Sequence, residues 1–144
     1  MPSKSALLTI LVAGIVSFAA TAAHACRCAG PQTPRSAFQR ADAVVVAEVL
    51  DVKGNFEAEG GAIATLKTRE AWKASVPATL TVETRTTCAF DFRRGETYLV
   101  YLTRSRGRAP FSTTICDGNR RVRDAGAALD WLSRNAKPLR AGPS

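Results

Sequence analysis

Four cysteines are the residues best equipped for chemistry in this 144-residue chain, and their spacing is uneven: Cys26 and Cys28 form a C-x-C pair, while Cys88 and Cys116 stand alone far downstream. Two positions apart in an extended segment, Cys26 and Cys28 point to the same face, and a bond between them would close a strained small ring. Each must therefore reach a distant partner. At this level Cys26 with Cys88 and Cys26 with Cys116 are equally open. A bridge closing a loop of roughly sixty to ninety residues stabilises a fold by about 4 kcal/mol in the chain-entropy model, although overlapping loops do not add.

Composition excludes much of the remaining chemistry. The single histidine is His24 and the single methionine is Met1, so beyond residue 25 the chain has neither. A Ser-His-Asp triad, a Cys-His pair and a histidine-based zinc site are all ruled out there. The 12 carboxylates are scattered, and no two stand out as an acid and base pair. Nothing else ligand-like accompanies the cysteines to suggest a thiolate metal or redox site. The expectation is a protein that is not an enzyme and has no cofactor.

Residues 1–25 have the layout of a secretory signal: Lys4 near the start, an apolar run from Ala6 to Ala20 that is short for a membrane span, and a small-residue end at Ala23-His24-Ala25. Cleavage after Ala25 makes Cys26 the first residue. A lipid-anchored route, in which Cys26 is modified after cleavage, is the alternative, but Ala23 stands where such signals usually carry a large aliphatic residue. Removing 25 of 144 residues leaves 119, enough for one core, and loss of Lys4 takes the formal charge from +8 to +7. An even number of cysteines in a small exported domain reads as two disulfides in an oxidising compartment, hence a secreted or periplasmic/extracellular protein, expected to be a monomer.

The elements that must hold these cysteines can be followed along the chain. Thr33-Pro34 starts a short helix to about Arg40. Ala43 to Val52 is the clearest strand, followed by a glycine-punctuated hairpin loop, Gly54 to Gly61. Further strands are expected at Ala62 to Ala74, Thr79 to Thr86 (ending just before Cys88), Glu96 to Thr103 and Phe111 to Cys116. Asp124 can cap a last helix with Ala125, Ala128, Leu129 and Leu132 on one face and Trp131 at its edge. Trp72 and Trp131 read as core. With no strand-helix-strand alternation, the fold class is mainly β: a five-stranded closed barrel of the oligonucleotide/oligosaccharide-binding (OB) type, with a short N-terminal helix and a C-terminal helix. The domain spans 26–136, and 137–144 reads as a disordered tail.

Arginines cluster at Arg93-Arg94, at Arg104, Arg106 and Arg108, and at Arg120, Arg121 and Arg123. Solvated loop charge is the ordinary reading, and attraction to an anionic polymer or membrane surface is the functional one. Nucleic acid is a poor partner, because the exposed aromatic platform on which single strands stack is lacking.

Cys26-Arg27-Cys28, then Ala37-Phe38, Ala41-Asp42 and the valine-rich run Val44 to Val49, together with Cys88 after a polar loop, Tyr98-Leu99-Val100 and Cys116-Asp117, resemble the tissue inhibitors of metalloproteinases and the wider netrin-like modules over residues 26–135. The resemblance implies the netrin-like version of the five-stranded barrel and the pairings Cys26 with Cys88 and Cys28 with Cys116. It also implies a partner, a zinc metalloprotease, whose catalytic zinc is chelated by the terminal amine and carbonyl of Cys26. Arg27 would enter the protease's specificity pocket. Cys28, Ala29, Gly30 and Pro31 would line its cleft, with Thr87, Cys88 and Ala89 beside them. Gln39 stands where the family has a third cysteine, and the second, disulfide-rich domain of those inhibitors has no counterpart here. A non-inhibitory exported binding or structural module using its basic loops is the competing expectation.

Overall fold

The computed structural model describes residues 26–55, 61–104 and 110–139. Helix α1 spans Pro34–Arg40, strands β1 to β4 span Ala43–Gly54, Ala62–Trp72, Thr79–Thr84 and Thr97–Leu102, two-residue strands β5 and β6 lie at Phe111–Ser112 and Arg120–Arg121, and helix α2 spans Gly126–Asn135. They form one mainly antiparallel six-stranded sheet in the order β5-β3-β2-β1-β4-β6, with β3 and β5 parallel. The sheet curls. Beyond the end of β4, Thr103 exchanges both backbone hydrogen bonds with Ser112 of β5, at 2.9 and 2.8 Å.

Strand β1 sits between β2 and β4 and is buried on both faces for its first half, which is why its sequence is continuously apolar rather than alternating. Ala43, Val45, Ala47 and Val49 face the concave core with Leu66, Leu80, Val82, Val100, Leu102 and Phe111. Val44, with Leu99 and Tyr101 of β4 and Trp72 of β2, faces the other way, against Ala37 and Ala41 near α1 and Ala128 and Leu132 of α2. The helices thus cover the outer face of the two central strands. Register shifts at Val46/Ala47 and Val49/Asp51 bend β1 and help the sheet to curl.

Helix α1 begins where Thr33 and Ser36 cap each other: the Ser36 N–H donates to Thr33 Oγ1 and the Thr33 N–H to Ser36 Oγ, each at 3.1 Å. Its C-terminal end is held by Lys73, whose Nζ donates to the carbonyls of Phe38 and Gln39 at 2.8 and 2.9 Å, a cation placed at the negative end of the helix. Phe38 packs on Trp131 with ring centroids 5.4 Å apart, so Trp131 is half-buried at the helix interface while Trp72 is fully in the core.

Several expectations are corrected by these elements. There are six strands among the described residues, not five. The expected strand Phe111 to Cys116 stops at Ser112, because Thr113 and Thr114 turn to bind Asp117 and Asn119. β2 ends at Trp72, directly before Lys73, and β3 at Thr84, two residues before Thr86; both Lys73 (φ 72°) and Thr86 (φ 71°) are non-glycine residues in the left-handed region. Asp124 does not cap α2: it lies in a 3-10 turn, Val122–Asp124, and the capping position is Ala125, with no side-chain cap. The start of the expected tail is tied down, since the Leu139 N–H donates to Ala71 O at 2.7 Å. The expected signal (1–25), the middle of the first hairpin loop, Arg106, Arg108 and residues 140–144 lie outside the described residues.

Candidate functional site

Two disulfides place the C-x-C segment across two loops at one end of the sheet. Cys26 pairs with Cys88, which follows β3, and Cys28 pairs with Cys116, which follows β5, with Cα separations of 5.3 and 5.1 Å. The two receiving loops are themselves joined: the Ile115 N–H donates to Cys88 O at 2.9 Å, and Ala89 forms a bridge with Thr114.

Each strand of this ridge is anchored by ordinary packing. In the loop carrying Cys88, Phe92 is buried and Phe90 half-buried in the concave core, where they meet Tyr98 and each other edge-on at 4.8 to 5.5 Å. Thr84 Oγ1, fully buried, accepts the Phe90 N–H. At the turn itself the carbonyl and Oγ1 of Thr86 accept from the Ala89 and Cys88 N–H groups, at 3.1 and 3.3 Å. In the loop carrying Cys116, Asp117 Oδ2 accepts from the Thr114 N–H at 2.6 Å and from Thr114 Oγ1 at 3.1 Å. Gly118 passes so close to α1 that a Cβ there would lie 3.1 Å from the Ala37 Cβ, and its φ is +100°. The C-x-C segment is tied at its far end, where Pro31 O accepts from Ser36 Oγ at 2.6 Å and from Arg40 Nη1 at 3.4 Å.

The sequence-predicted residues are therefore brought together. Arg27, Cys28, Ala29, Gly30, Pro31 and Thr87 are exposed, and Cys26, Cys88 and Ala89 are half-buried. Among the described residues Arg27 has no ion-pair partner. Ile115, 45% exposed beside Cys116, belongs to the same ridge. Sequence reading missed it by placing it inside a strand. Its one sequence signal was an aliphatic residue flanked by Thr114 and Cys116. The Sγ atoms of Cys26, Cys28 and Cys116 lie within 4.8 Å of one another, but as disulfide sulfurs they are not metal-ligating thiolates.

Several arginines of the basic clusters have partners. Arg93 pairs with Asp91 at 3.3 Å, Arg121 with Glu96 at 4.0 Å and Arg123 with Asp124 at 3.8 Å. Arg104 stacks over Phe111 at 4.1 Å, and its N–H donates to Asp42 Oδ2 at 2.7 Å. Away from the ridge, a cavity of about 140 Å³ between the two helices is lined by Gln32, Thr33, Tyr101, Gly118, Arg120 and Asp124. The Tyr101 hydroxyl is buried with no hydrogen-bond partner among the described residues. Burial raises its pKa above the usual 10.0, with Arg120 pulling the other way.

No family model matches the chain, and no curated protein matches it.

Proposed function

We propose that this chain is an exported inhibitor of zinc metalloendopeptidases that acts through Cys26 once the preceding residues are removed, and that its curled sheet is a closed barrel of the OB, netrin-like kind. The observation that carries the reading is the double staple: an exposed Arg27-Cys28-Ala29-Gly30-Pro31 segment held beside Thr87 by two disulfides, one from each cysteine of the C-x-C motif. The Thr103–Ser112 pairing, which links β4 to β5, supports the barrel.

A catalytic zinc keeps one position open for water. A neutral terminal amine and the carbonyl of the same residue would fill that position with a five-membered chelate ring, displacing the nucleophile. The disulfides supply rigidity, so little ordering cost would be paid on binding. Arg27 would then enter the adjoining pocket. Burying a cation without a counter-charge is costly, so the target protease should carry an acid there. The protein itself would perform no chemistry, and its setting would be secreted or periplasmic.

The test is to purify the exported protein, determine its first residue by mass spectrometry and assay it against a panel of zinc endopeptidases, beside a form carrying one extra alanine before Cys26. Inhibition by the form starting at unmodified Cys26, and its loss in the extended form, is expected. A lipidated or blocked Cys26, or equal behaviour of the two forms, would overturn the reading.

A further inference from the structure

Besides their bonds, the two disulfides touch. Cys26 Sγ lies 3.6 Å from Cys116 Sγ, although these atoms belong to different bridges. Of the four cysteines only Cys28 is exposed; Cys26, Cys88 and Cys116 are half-buried. A thiolate released at Cys116 would therefore find a disulfide sulfur already in contact, with no loop movement needed to reach it.

We infer that the ridge is a thiol-exchange site, at which a low-molecular-weight thiol enters at Cys28 and the bridges re-pair as Cys26 with Cys116. Thiol–disulfide exchange proceeds by attack of a thiolate on one sulfur and departure of the other. The incoming thiolate attacks Cys28 Sγ, forming a mixed disulfide and expelling the Cys116 thiolate. That thiolate attacks Cys26 Sγ across the 3.6 Å contact, forming Cys26–Cys116 and expelling the Cys88 thiolate. Cys88 takes up the proton that the incoming thiol released. Two disulfides are present before and two after, so there is no net oxidation or reduction: one thiol is consumed and one protein thiol appears.

Entry at Cys28 follows from exposure, because accessible disulfides are the labile ones. The neighbouring Arg27, exposed and without an ion-pair partner among the described residues, favours an anionic thiol such as glutathione. The product differs from the resting state in one respect that matters to the ridge: the Thr86-Thr87-Cys88 turn is no longer covalently attached to Cys26. The inference rests on sulfur geometry and not on the inhibitory reading, so either can fail alone.

The experiment is disulfide mapping. The folded exported protein is incubated with reduced glutathione, quenched with N-ethylmaleimide and digested with trypsin, which cuts after Arg27 and separates Cys26 from Cys28. Expected are glutathione on Cys28, maleimide on Cys88 and a Cys26–Cys116 linked peptide. Maleimide on Cys116 with Cys26–Cys88 intact, or no change from the resting pairing, would overturn the inference. A second measurement needs no added thiol. Cys28→Ser leaves Cys116 as a thiol beside the Cys26–Cys88 bridge, and a substantial fraction of molecules should re-pair to Cys26–Cys116 with Cys88 free. In Cys116→Ser the thiol left is Cys28, which cannot bridge to Cys26 without strain, so Cys26–Cys88 should persist. Equal persistence of Cys26–Cys88 in both variants would sink the proposal. Should Cys28→Ser fail to fold, the glutathione mapping of the wild-type protein decides alone.

Discussion

Asn119 takes the place of a strand beside Tyr101. Its Oδ1 accepts the Tyr101 N–H at 2.8 Å, while its Nδ2 donates to Thr113 Oγ1 at 2.7 Å and to Thr114 O at 2.9 Å. Thr113, fully buried, completes the circuit by donating its hydroxyl to Tyr101 O at 2.8 Å. One side chain thus ties β4 to the turn that carries Cys116. Replacing Asn119 by alanine strands the backbone N–H of a buried residue, which costs roughly 1–3 kcal/mol. Asn119→Ala should lower Tm by several degrees, and Asn119→Asp, which keeps the acceptor for Tyr101 but sets a carboxylate oxygen against Thr114 O, should also fall below the wild type. Thermal unfolding followed by circular dichroism measures both; an unchanged Tm for Asn119→Ala would show that the circuit is not holding the turn.

The hydroxyl of Tyr101 has the opposite standing from its backbone, being buried with no partner among the described residues. Deleting an unsatisfied polar atom from a packed site removes its desolvation penalty, so Tyr101→Phe should stabilise the fold by about 1 kcal/mol near neutral pH. The ionisation behaviour adds a second readout. Burial raises the folded-state pKa above 10.0, with Arg120 opposing. Below pH 10 the phenol is neutral whether folded or unfolded. Above it the unfolded chain loses the proton first, so stability falls as pH rises. Tyr101→Phe should therefore lose less stability than the wild type between neutrality and pH 11, as read from denaturant midpoints. A destabilised variant would mean that water in the adjoining cavity holds the hydroxyl.

How far the sequence disclosed this fold can be judged from particular residues. α1 was legible to the residue because Thr33, Pro34 and the apolar spacing of Ala37, Phe38 and Ala41 are local signals. β1 was legible because a strand buried on both faces leaves an unbroken apolar run. The ends of β2, β3 and β5 were not. Lys73 and Thr86 adopt left-handed backbone that their side chains disfavour, and no local pattern announces it. Thr113 and Thr114 look like strand residues but are claimed by Asp117 and Asn119, a preference visible only once the turn is closed. The site was legible only in part: the C-x-C spacing forbade one pairing but left two open. The choice between them depends on which loops the curled sheet brings together.

Thr86 offers a direct measure of strain in the ridge. A β-branched residue at φ 71° is held there by its neighbours, and its Oγ1 gives back only a long hydrogen bond from Cys88. Glycine adopts this conformation without penalty, whereas alanine carries the steric cost and also loses the hydroxyl. Thr86→Gly should therefore be more stable than Thr86→Ala by about 1 kcal/mol. If the strained turn presents Thr87 to a partner, Thr86→Gly should also weaken protease inhibition while leaving Tm equal or higher. Chemical denaturation of the two variants, with inhibition assays at matched concentration, separates the two effects. Equal stability of Gly and Ala at this position would show that the turn is not under backbone strain.

Inhibition through the Cys26 amine carries a pH signature that contact through loops alone would not. The proton on a terminal amine, with an ordinary pKa of about 7.7–8, must leave before the nitrogen can bind metal. Only the neutral form is competent, so apparent affinity should be flat above about pH 8 and fall nearly tenfold for each unit below it. The sign is fixed: acid weakens, alkali does not. Measuring the inhibition constant from pH 6 to 9 against a zinc endopeptidase whose own activity is corrected at each pH gives the slope. A slope of one below a single break near the amine pKa is expected. Acetylation of that amine should remove inhibition at every pH, while acetylated lysines in a protein whose terminus was protected during the reaction should not. A pH-independent constant, or an acetylated terminus that still inhibits, would assign the binding to the ridge side chains and not to zinc.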